Sequence, residues 1–360
     1  MFEDFLTRKL QGKKDSGALR ILRLPGGHAD YFSNDYLGIT KNKRIEENLR
    51  GKEFAHGSTG SRLLAGNYSL IEEVEKKIAR FHNAETALIF NSGYDANFGL
   101  LACIAGKEDL IIYDKLSHAS IRDGIRQSFG DSHPFAHNDL DDLEKKLKKR
   151  KGNCFVVTES VFSMDGDMAP LIEMAELCEK YGANLIVDEA HATGLIGEKG
   201  EGVVQKLNLQ NRCFARVHTF GKALGCHGAA ILGSALLRNY LINFCRPLIY
   251  STALPPAAVA GIKSSYDIFP EMIEEREFLK TLIDMFDIPG FKKSVTAIQC
   301  IIIPGNKQVK QVSQNLLEFN IDVRPILYPT VPLGEERLRI ALHSFNTVRE
   351  TKNLISILTK

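Results

Sequence analysis

The residue whose type and surroundings most clearly suggest a chemical role in this sequence is a lysine between two glycines. Lys222 follows an apolar run and has Gly221, Phe220 and Ala223 as neighbours, with Thr219 within about one helical turn. A surface lysine is ordinarily a solvated charge. Here the neighbours are small or apolar, and a strand-like run upstream, residues 184–191, ends in acid and imidazole. A desolvated lysine near such groups is a candidate nucleophile that forms a Schiff base with a carbonyl compound.

Other polar clusters have both functional and structural interpretations. Asp188 and His191 could be a metal pair, a satisfied core pair, or a carboxylate that faces a cationic ring, and no convincing third metal ligand lies nearby in sequence. His118 could simply cap a helix. Cys226 and His227 resemble a ligand pair but are better explained as loop residues between glycines.

A fourth cluster, Ser92-Gly93-Tyr94, stands between a predicted strand and a predicted helix. Such a turn could hold a phosphate on the amides of a helix N-terminus, although many strand–helix turns contain serine and glycine. Taken together, the clusters fit pyridoxal 5'-phosphate. This cofactor needs a lysine, a carboxylate for the pyridine nitrogen, a flat group over the ring and a phosphate site. Lys222, Asp188, His118 and residues 92–94 could supply them.

Alternating strands and helices would position these residues. Continuous apolar strands separated by helices predict an α/β fold with a mostly parallel sheet covered on both faces. In such sheets ligands bind at the carboxyl ends of the strands, where the polar clusters stand. Ser69 and Glu72 suggest a capping box before an apolar helical stripe. The predicted strands are 86–90, 110–113, 154–159, 185–188, 214–219 and 229–232, with three more near 299–303, 322–324 and 337–340.

The strand pattern and the prolines around 246–256 suggest the domain organisation. We predict an N-terminal helix and arm over 1–40, a large domain over 41–240 and a small C-terminal α+β domain over 241–360 that includes a linking helix. The first helix would be amphipathic, with Phe2, Phe5, Leu6 and Leu10 on its apolar side.

Composition excludes several classes of function. The 360 residues are 44% hydrophobic and 25% charged, as in ordinary globular proteins. A net charge of +2 indicates neither a nucleic-acid partner nor a membrane partner, and the basic run 145–151 suits the end of an exposed helix. Seven cysteines without a Cys-x-x-Cys pair suggest free thiols and a cytoplasmic protein. No apolar run approaches the roughly 20 residues of a membrane span.

The motifs as a set resemble those of the α-oxoamine synthases, which are fold-type I pyridoxal phosphate enzymes. The resemblance runs from about residue 18 to about residue 344. It implies a large domain with a mostly parallel sheet covered by helices, a smaller C-terminal domain and a homodimer with the active site at the subunit interface. The shared motifs lie at residues 33–38, 92–97, 117–120, 162–166, 187–191 and 219–222.

The same resemblance implies a role for each matching residue. Lys222 would bind the cofactor covalently and move the α-proton, Asp188 would pair with the pyridine nitrogen, and His118 would stack on the ring. Other cofactor contacts would come from Ser92, Gly93, Tyr94, Ser163, His191 and Thr219, with Ser251 and Thr252 reaching in from the second subunit. Substrate contacts would come from Arg20, Asn34, Glu159, Thr330 and Arg339, and no metal is implied.

The implied activity is a decarboxylating condensation of an amino acid with an acyl thioester. Residues 135–139, 157–159, 166–170, 248–252 and 329–332 favour the members that join L-alanine to a pimeloyl thioester on coenzyme A or acyl carrier protein. Members that use glycine or serine with another acyl chain are the alternative. A non-catalytic homologue is a third possibility, but it would be expected to lose Lys222. Departures from the family pattern lie at 225–228, 324–330 and 343–346, and the second concerns the acyl chain.

Overall fold

The computed structural model describes residues 3–359, so Phe2 of the predicted amphipathic stripe lies outside the described residues. The strands are β1 (Ala29–Asp30), β2 (Thr86–Phe90), β3 (Leu110–Asp114), β4 (Asp131–Phe135), β5 (Cys154–Glu159), β6 (Asn184–Asp188), β7 (Ala215–Thr219), β8 (Ala229–Gly233), β9 (Ile298–Ile302), β10 (Ile321–Asp322), β11 (Arg324–Ile326) and β12 (Arg337–Ala341). The α-helices are α1 (Asp4–Asp15), α2 (Lys43–Leu49), α3 (Ser69–Phe81), α4 (Gly93–Ile104), α5 (Ala119–Gln127), α6 (Leu140–Leu147), α7 (Leu171–Tyr181), α8 (Val203–Lys206), α9 (Ala235–Phe244), α10 (Arg246–Ile249), α11 (Pro256–Ile268), α12 (Ile273–Met285), α13 (Asn306–Glu318) and α14 (Val348–Leu358).

The larger of two compact units comprises Leu37–Ser163 and Met168–Arg276. Its seven-stranded sheet has the order β2-β8-β7-β6-β5-β3-β4. All neighbouring strands are parallel except at β8, which runs antiparallel to both β2 and β7. The predicted α/β fold with a mostly parallel sheet is therefore confirmed.

Both faces of this sheet are covered, which explains why its central strands are continuous apolar runs. Every residue of β5 is buried. One core forms under α4 and α5 and includes Leu100, Ile121 and Val217. A second core forms on the other face under α7 and includes Val156 and Met174. Because the β-strand period alternates faces, successive residues of one strand enter different cores.

The other unit comprises Met1–Tyr36, Met164–Asp167 and Glu277–Lys360. It contains an antiparallel sheet of order β11-β12-β9 and a short parallel pair, β1 with β10. Helix α1 has no buried residue, and its apolar Phe5 and Leu10 are exposed. No helix of residues 3–359 is long and apolar enough to cross a membrane.

The division into units runs differently from the predicted domains. Residues 241–276 group with the large sheet, and the N-terminal arm groups with the C-terminal residues. The parallel pairing of Ala29 with Ile321 and of Asp30 with Asp322 is one physical cause, because it ties the arm to a late strand. The boundaries at 40 and 240 stay a prediction.

Two local expectations were wrong. The predicted capping box at Ser69 is absent: Tyr68 is the N-cap of α3, and Glu72 accepts a hydrogen bond from Asn67 Nδ2 (2.8 Å). A capping box occurs instead at Thr347 and Glu350, before α14. Strand β4 was also missed, because its residues are mostly exposed and it lies at the sheet edge, where no apolar pattern is required.

Candidate functional site

Lys222 lies in a tight loop between the antiparallel strands β7 and β8. Backbone bonds close the loop, from Gly225 N to Lys222 O and from Cys226 N to Phe220 O, both 2.8 Å. Gly225 adopts a left-handed φ of 61° and lies so close to Thr40 that a Cβ would approach its amide to 2.8 Å. These constraints fix the base of the lysine. Its half-buried side chain reaches His191, with 2.9 Å between Nζ and Nε2.

Asp188 ends strand β6 with a buried and hydrogen-bonded carboxylate. Its Oδ2 accepts from Asn97 Nδ2 at 2.7 Å, and its Oδ1 accepts from the amide of Ala190 at 2.9 Å. Asn97 also bonds to Ser120 Oγ (3.1 Å), so α4 and α5 together orient the carboxylate. Among residues 3–359 no group of three or more possible metal ligands is found, and the metal-pair interpretation of Asp188 and His191 gains no support.

His118 is the N-cap of α5 and is an exposed residue. The amide of Ser120 donates to His118 Nδ1 (3.2 Å), and the residue as a whole is exposed. An acceptor role for Nδ1 leaves the proton of the neutral ring on Nε2. Partial desolvation lowers the pKa of His118, against the opposing effect of Asp188, and nearby Lys222 lowers it further. The capping role and the predicted stacking role are thus compatible.

Glu159 is a buried acid behind His118. One of its oxygens accepts from the His118 amide at 2.6 Å, and the residue is paired in register with Asp188 across β5 and β6. Burial, and then repulsion from Asp188, raises the pKa of Glu159 to about 8. Because the side chain is 2% exposed, its position favours holding His118 in place over contacting a substrate.

The start of α4 forms a cradle of backbone amides and hydroxyls. Ser92 is the N-cap, and its Oγ accepts from the amide of Asp95 at 3.0 Å. Gly93 packs against Thr219, where a Cβ would lie 3.3 Å from Oγ1. The side chain of Tyr94 points to Asp123 instead, with 2.6 Å from its hydroxyl to Oδ2. A phosphate would therefore meet the backbone amides of Gly93 and Tyr94 at a helix N-terminus.

Arg339 lies in the other unit, on β12 at the centre of its three-stranded sheet. Its guanidinium donates to Asn34 Oδ1 (3.0 Å) and to the hydroxyl of Tyr36 (3.3 Å). Arg339 is buried. Burial also raises the pKa of Tyr36, and the hydroxyl of Tyr36 therefore stays neutral. The predicted pair of Asn34 and Arg339 is therefore in direct contact.

Arg20 and Thr330 are also brought together although they are distant in sequence. Arg20 donates to Thr330 Oγ1 at 2.8 Å, and both residues are exposed. The unusual segment 324–330 consists of β11 and a turn that contains a cis peptide bond between Tyr328 and Pro329. These two residues, both predicted to contact substrate, thus form one exposed polar group within their unit.

The remaining predicted residues are less closely grouped. Ser163 is half-buried shortly after β5, and His191 is buried beside Lys222. Thr252 is exposed, and its carbonyl accepts from Asn91 Nδ2 (2.8 Å) of the same chain, next to Ser92. Ser251 is half-buried at this place.

These contacts fit pyridoxal phosphate. The larger unit offers a fixed carboxylate, an amine within reach of an imidazole, a second imidazole at His118, and a helix N-terminus whose Gly93 packs closely on Thr219. Asn97 and Ser120 were not predicted to act at the site. The sequence feature that could have identified them is a polar residue on the buried face of a helix. Asn97 is such a residue and lies one turn beyond Gly93.

Comparison with known proteins identifies the family to which the chain is similar. Residues 32–358 match the family model described as aminotransferase class I and II. The 8-amino-7-oxononanoate synthase of Emericella nidulans is 39% identical, over 98% of this chain and 94% of its own length. A serine palmitoyltransferase from S. paucimobilis, solved with pyridoxal phosphate and myriocin, has a TM-score of 0.87 at 28% identity, covering 99% of this chain and 96% of that one. An 8-amino-7-oxononanoate synthase from Francisella tularensis has a TM-score of 0.78 at 28% identity, covering 93% and 98%.

Fold, site geometry and likeness over nearly the whole length lead to one assignment. The chain belongs to the class I and II aminotransferase family and, within it, to the α-oxoamine synthases, acyltransferases that use pyridoxal phosphate.

Proposed function

We propose that this protein condenses L-alanine with a pimeloyl thioester, with loss of carbon dioxide, to form 8-amino-7-oxononanoate for biotin biosynthesis. The observation that carries the proposal is the full-length likeness to a curated enzyme of that name, at 39% identity. The hydrogen bonds made by Lys222, Asp188 and His118 support a catalytic chain. We infer a cytoplasmic homodimer as the working form.

The residues of the larger unit would hold and tune the cofactor. Bound pyridoxal phosphate supplies an electron sink that stabilises negative charge on the substrate α-carbon. Asp188, fixed by Asn97, would keep a proton on the ring nitrogen, since a carboxylate favours the charged form of a neighbouring cation. His118 would cover one face of the ring. The amides that open α4, with Thr219, would bind the phosphate.

Lys222 would hold and move the α-proton. Its amine lies 2.9 Å from His191 Nε2, a distance at which a proton can be shared. A general base must be held in position to act efficiently. The closed loop around Lys222 provides that constraint. Arg339 would bind the amino-acid carboxylate with a charge-assisted bond, oriented by Asn34.

A panel of substrates tests the proposal. Alanine, glycine and serine would each be combined with pimeloyl, acetyl and palmitoyl thioesters, with thiol release and product mass as readouts. We expect alanine with the pimeloyl donor to give the highest kcat/KM. Activity confined to serine with a long acyl chain would reject the proposal in favour of a palmitoyltransferase-like reaction, which the fold likeness to serine palmitoyltransferase makes the second candidate.

The role of Lys222 can be tested without turnover. Borohydride reduction of the holoenzyme, followed by digestion and mass spectrometry, should leave the cofactor mass on the peptide that contains Lys222. Lys222→Ala should lose both the label and the visible absorbance of the bound cofactor. A label on another lysine would show that the assignment is wrong.

A further inference from the structure

We propose that Arg324 binds the distal carboxylate of a dicarboxylic acyl donor and thereby selects the acyl chain. The proposal rests on the proposed function above, because a pimeloyl chain ends in such a carboxylate. The starting observation is the register of the small antiparallel sheet, in which Arg324 of β11 stands directly opposite Arg339 of β12. Directly opposed residues project from the same face of a sheet.

Two arginines at directly paired positions are unfavourable in an ordinary sheet. Their Cβ atoms are about 5 Å apart, and like charges at that spacing destabilise the pairing. A pair of this kind is stable when anions lie between or beside the two side chains. The cross-strand pair of Arg324 and Arg339 therefore needs negative charge beside it, of which the protein supplies the carboxylate of Asp322.

Protein contacts fix Arg324 without using all of its donors. One terminal nitrogen donates to Asp322 Oδ2 at 2.7 Å, and the guanidinium lies 4.6 Å from the ring centre of Phe32. Within residues 3–359, Nε of Arg324 is buried and has no hydrogen-bond partner. The side chain as a whole keeps 29% exposure. The group is thus pre-oriented and accessible, which lowers the entropy lost when it binds a ligand.

The neighbouring Arg337 shows what a structural arginine looks like in this sheet. Its side chain is 3% exposed and is paired with both Asp165 and Glu335. Two carboxylates and burial leave no room for a substrate anion. Arg324 differs because, within residues 3–359, it pairs with a single carboxylate, that of Asp322, and keeps an accessible edge.

The substrates of the proposed reaction supply two carboxylates. One belongs to the amino acid and is assigned to Arg339. The other ends the pimeloyl chain, and a guanidinium binds a carboxylate with parallel N–H bonds that an alkyl terminus cannot form. A chain that ends in a methyl group would cover Arg324 without pairing it, at the cost of lost hydration. Arg324 should therefore favour dicarboxylic over monocarboxylic acyl groups.

The test compares two donors of equal carbon number, pimeloyl and heptanoyl thioesters on the same carrier, with alanine. In Arg324→Gln we expect kcat/KM for the pimeloyl donor to fall at least about tenfold, the size of one hydrogen bond to a charged group. The heptanoyl value should change little. Arg349→Gln, an exposed arginine of α14, is the matched control and should leave both values unchanged.

Inhibition by the free acids provides a readout that does not depend on alanine turnover. Pimelate should inhibit or bind the wild-type holoenzyme more tightly than heptanoate, and Arg324→Gln should remove that difference. Equal losses with both donors, or a wild type that does not distinguish pimelate from heptanoate, would overturn the inference. If Arg324→Gln does not fold, Arg324→Lys decides, because a single ammonium cannot form parallel bonds and the preference should shrink.

The two proposals can fail separately. Arg324-dependent binding of pimelate without any condensation of alanine would reject the proposed reaction and keep the carboxylate site. Condensation of alanine with pimeloyl and heptanoyl donors at equal rates would keep the reaction class and reject the site.

Discussion

The buried acid Glu159 predicts a pH dependence that a single substitution should remove. Its pKa rises from the ordinary 4.5 to about 8, chiefly through burial. The folded state therefore keeps this proton up to about pH 8, whereas the unfolded chain releases it near 4.5. Stabilisation by the neutral acid is full below pH 4.5 and is lost as the pH rises to 8. Glu159→Gln cannot ionise, and its amide oxygen can still accept from the His118 amide.

Melting temperatures of wild type and Glu159→Gln, measured from pH 5 to pH 9, check this prediction. We expect the variant to gain several degrees relative to wild type across that range. Glu189 has a pKa raised to about 7, again by burial, but it is present in both proteins and cancels in the difference. If the plots of melting temperature against pH are parallel for the two proteins, Glu159 does not hold its proton in the folded state.

Helix α4 allows capping to be separated from cofactor binding. Ser92→Ala removes an N-cap bond and should cost about 1 kcal/mol of unfolding free energy. Asp139→Ala removes the matched N-cap of α6, a 2.9 Å bond from the amide of Asp142, at a similar cost. Only Ser92→Ala should also weaken the binding of pyridoxal phosphate several-fold, measured by the absorbance that remains after dialysis. Equal cofactor affinity in the two variants would contradict a phosphate site at α4.

At the level of elements, the sequence was most informative where packing leaves a pattern. Strands β2 and β5 were predicted with the bounds observed, because buried strands must be apolar throughout. Strand β4 left no such pattern, since its outward residues face solvent. The cap of α3 was misplaced because Ser, Asn and Glu near a helix start can pair in several ways, and Asn67 with Glu72 was the pair that formed. The position of Asp188 at the end of β6 and the nearness of Lys222 to the polar residues after it were predictable. The link from Glu159 to the His118 amide was not, because it depends on three-dimensional register.

At the scale of the whole molecule, the expected dimer raises the question of which chain supplies Ser251 and Thr252 to each cofactor site. Within one chain, Thr252 already bonds to Asn91 beside the cofactor cradle, so these residues could serve their own subunit or its partner. The resemblance to the α-oxoamine synthases favours supply of these two residues by the partner subunit. Light scattering should then give about 80 kDa, twice the 40.1 kDa of one chain.

Mixing of two variants, each impaired in a different part of the site, shows which subunit supplies the hydroxyls. Lys222→Ala keeps the two hydroxyls, and the double variant Ser251→Ala with Thr252→Ala keeps the lysine. If each site combines a lysine from one chain with hydroxyls from the other, refolding an equal mixture creates heterodimers with one intact site. Random pairing should then restore about a quarter of wild-type sites. If both groups come from one chain, every site in the heterodimer keeps a defect, and the mixture should be no more active than the average of the two variants alone.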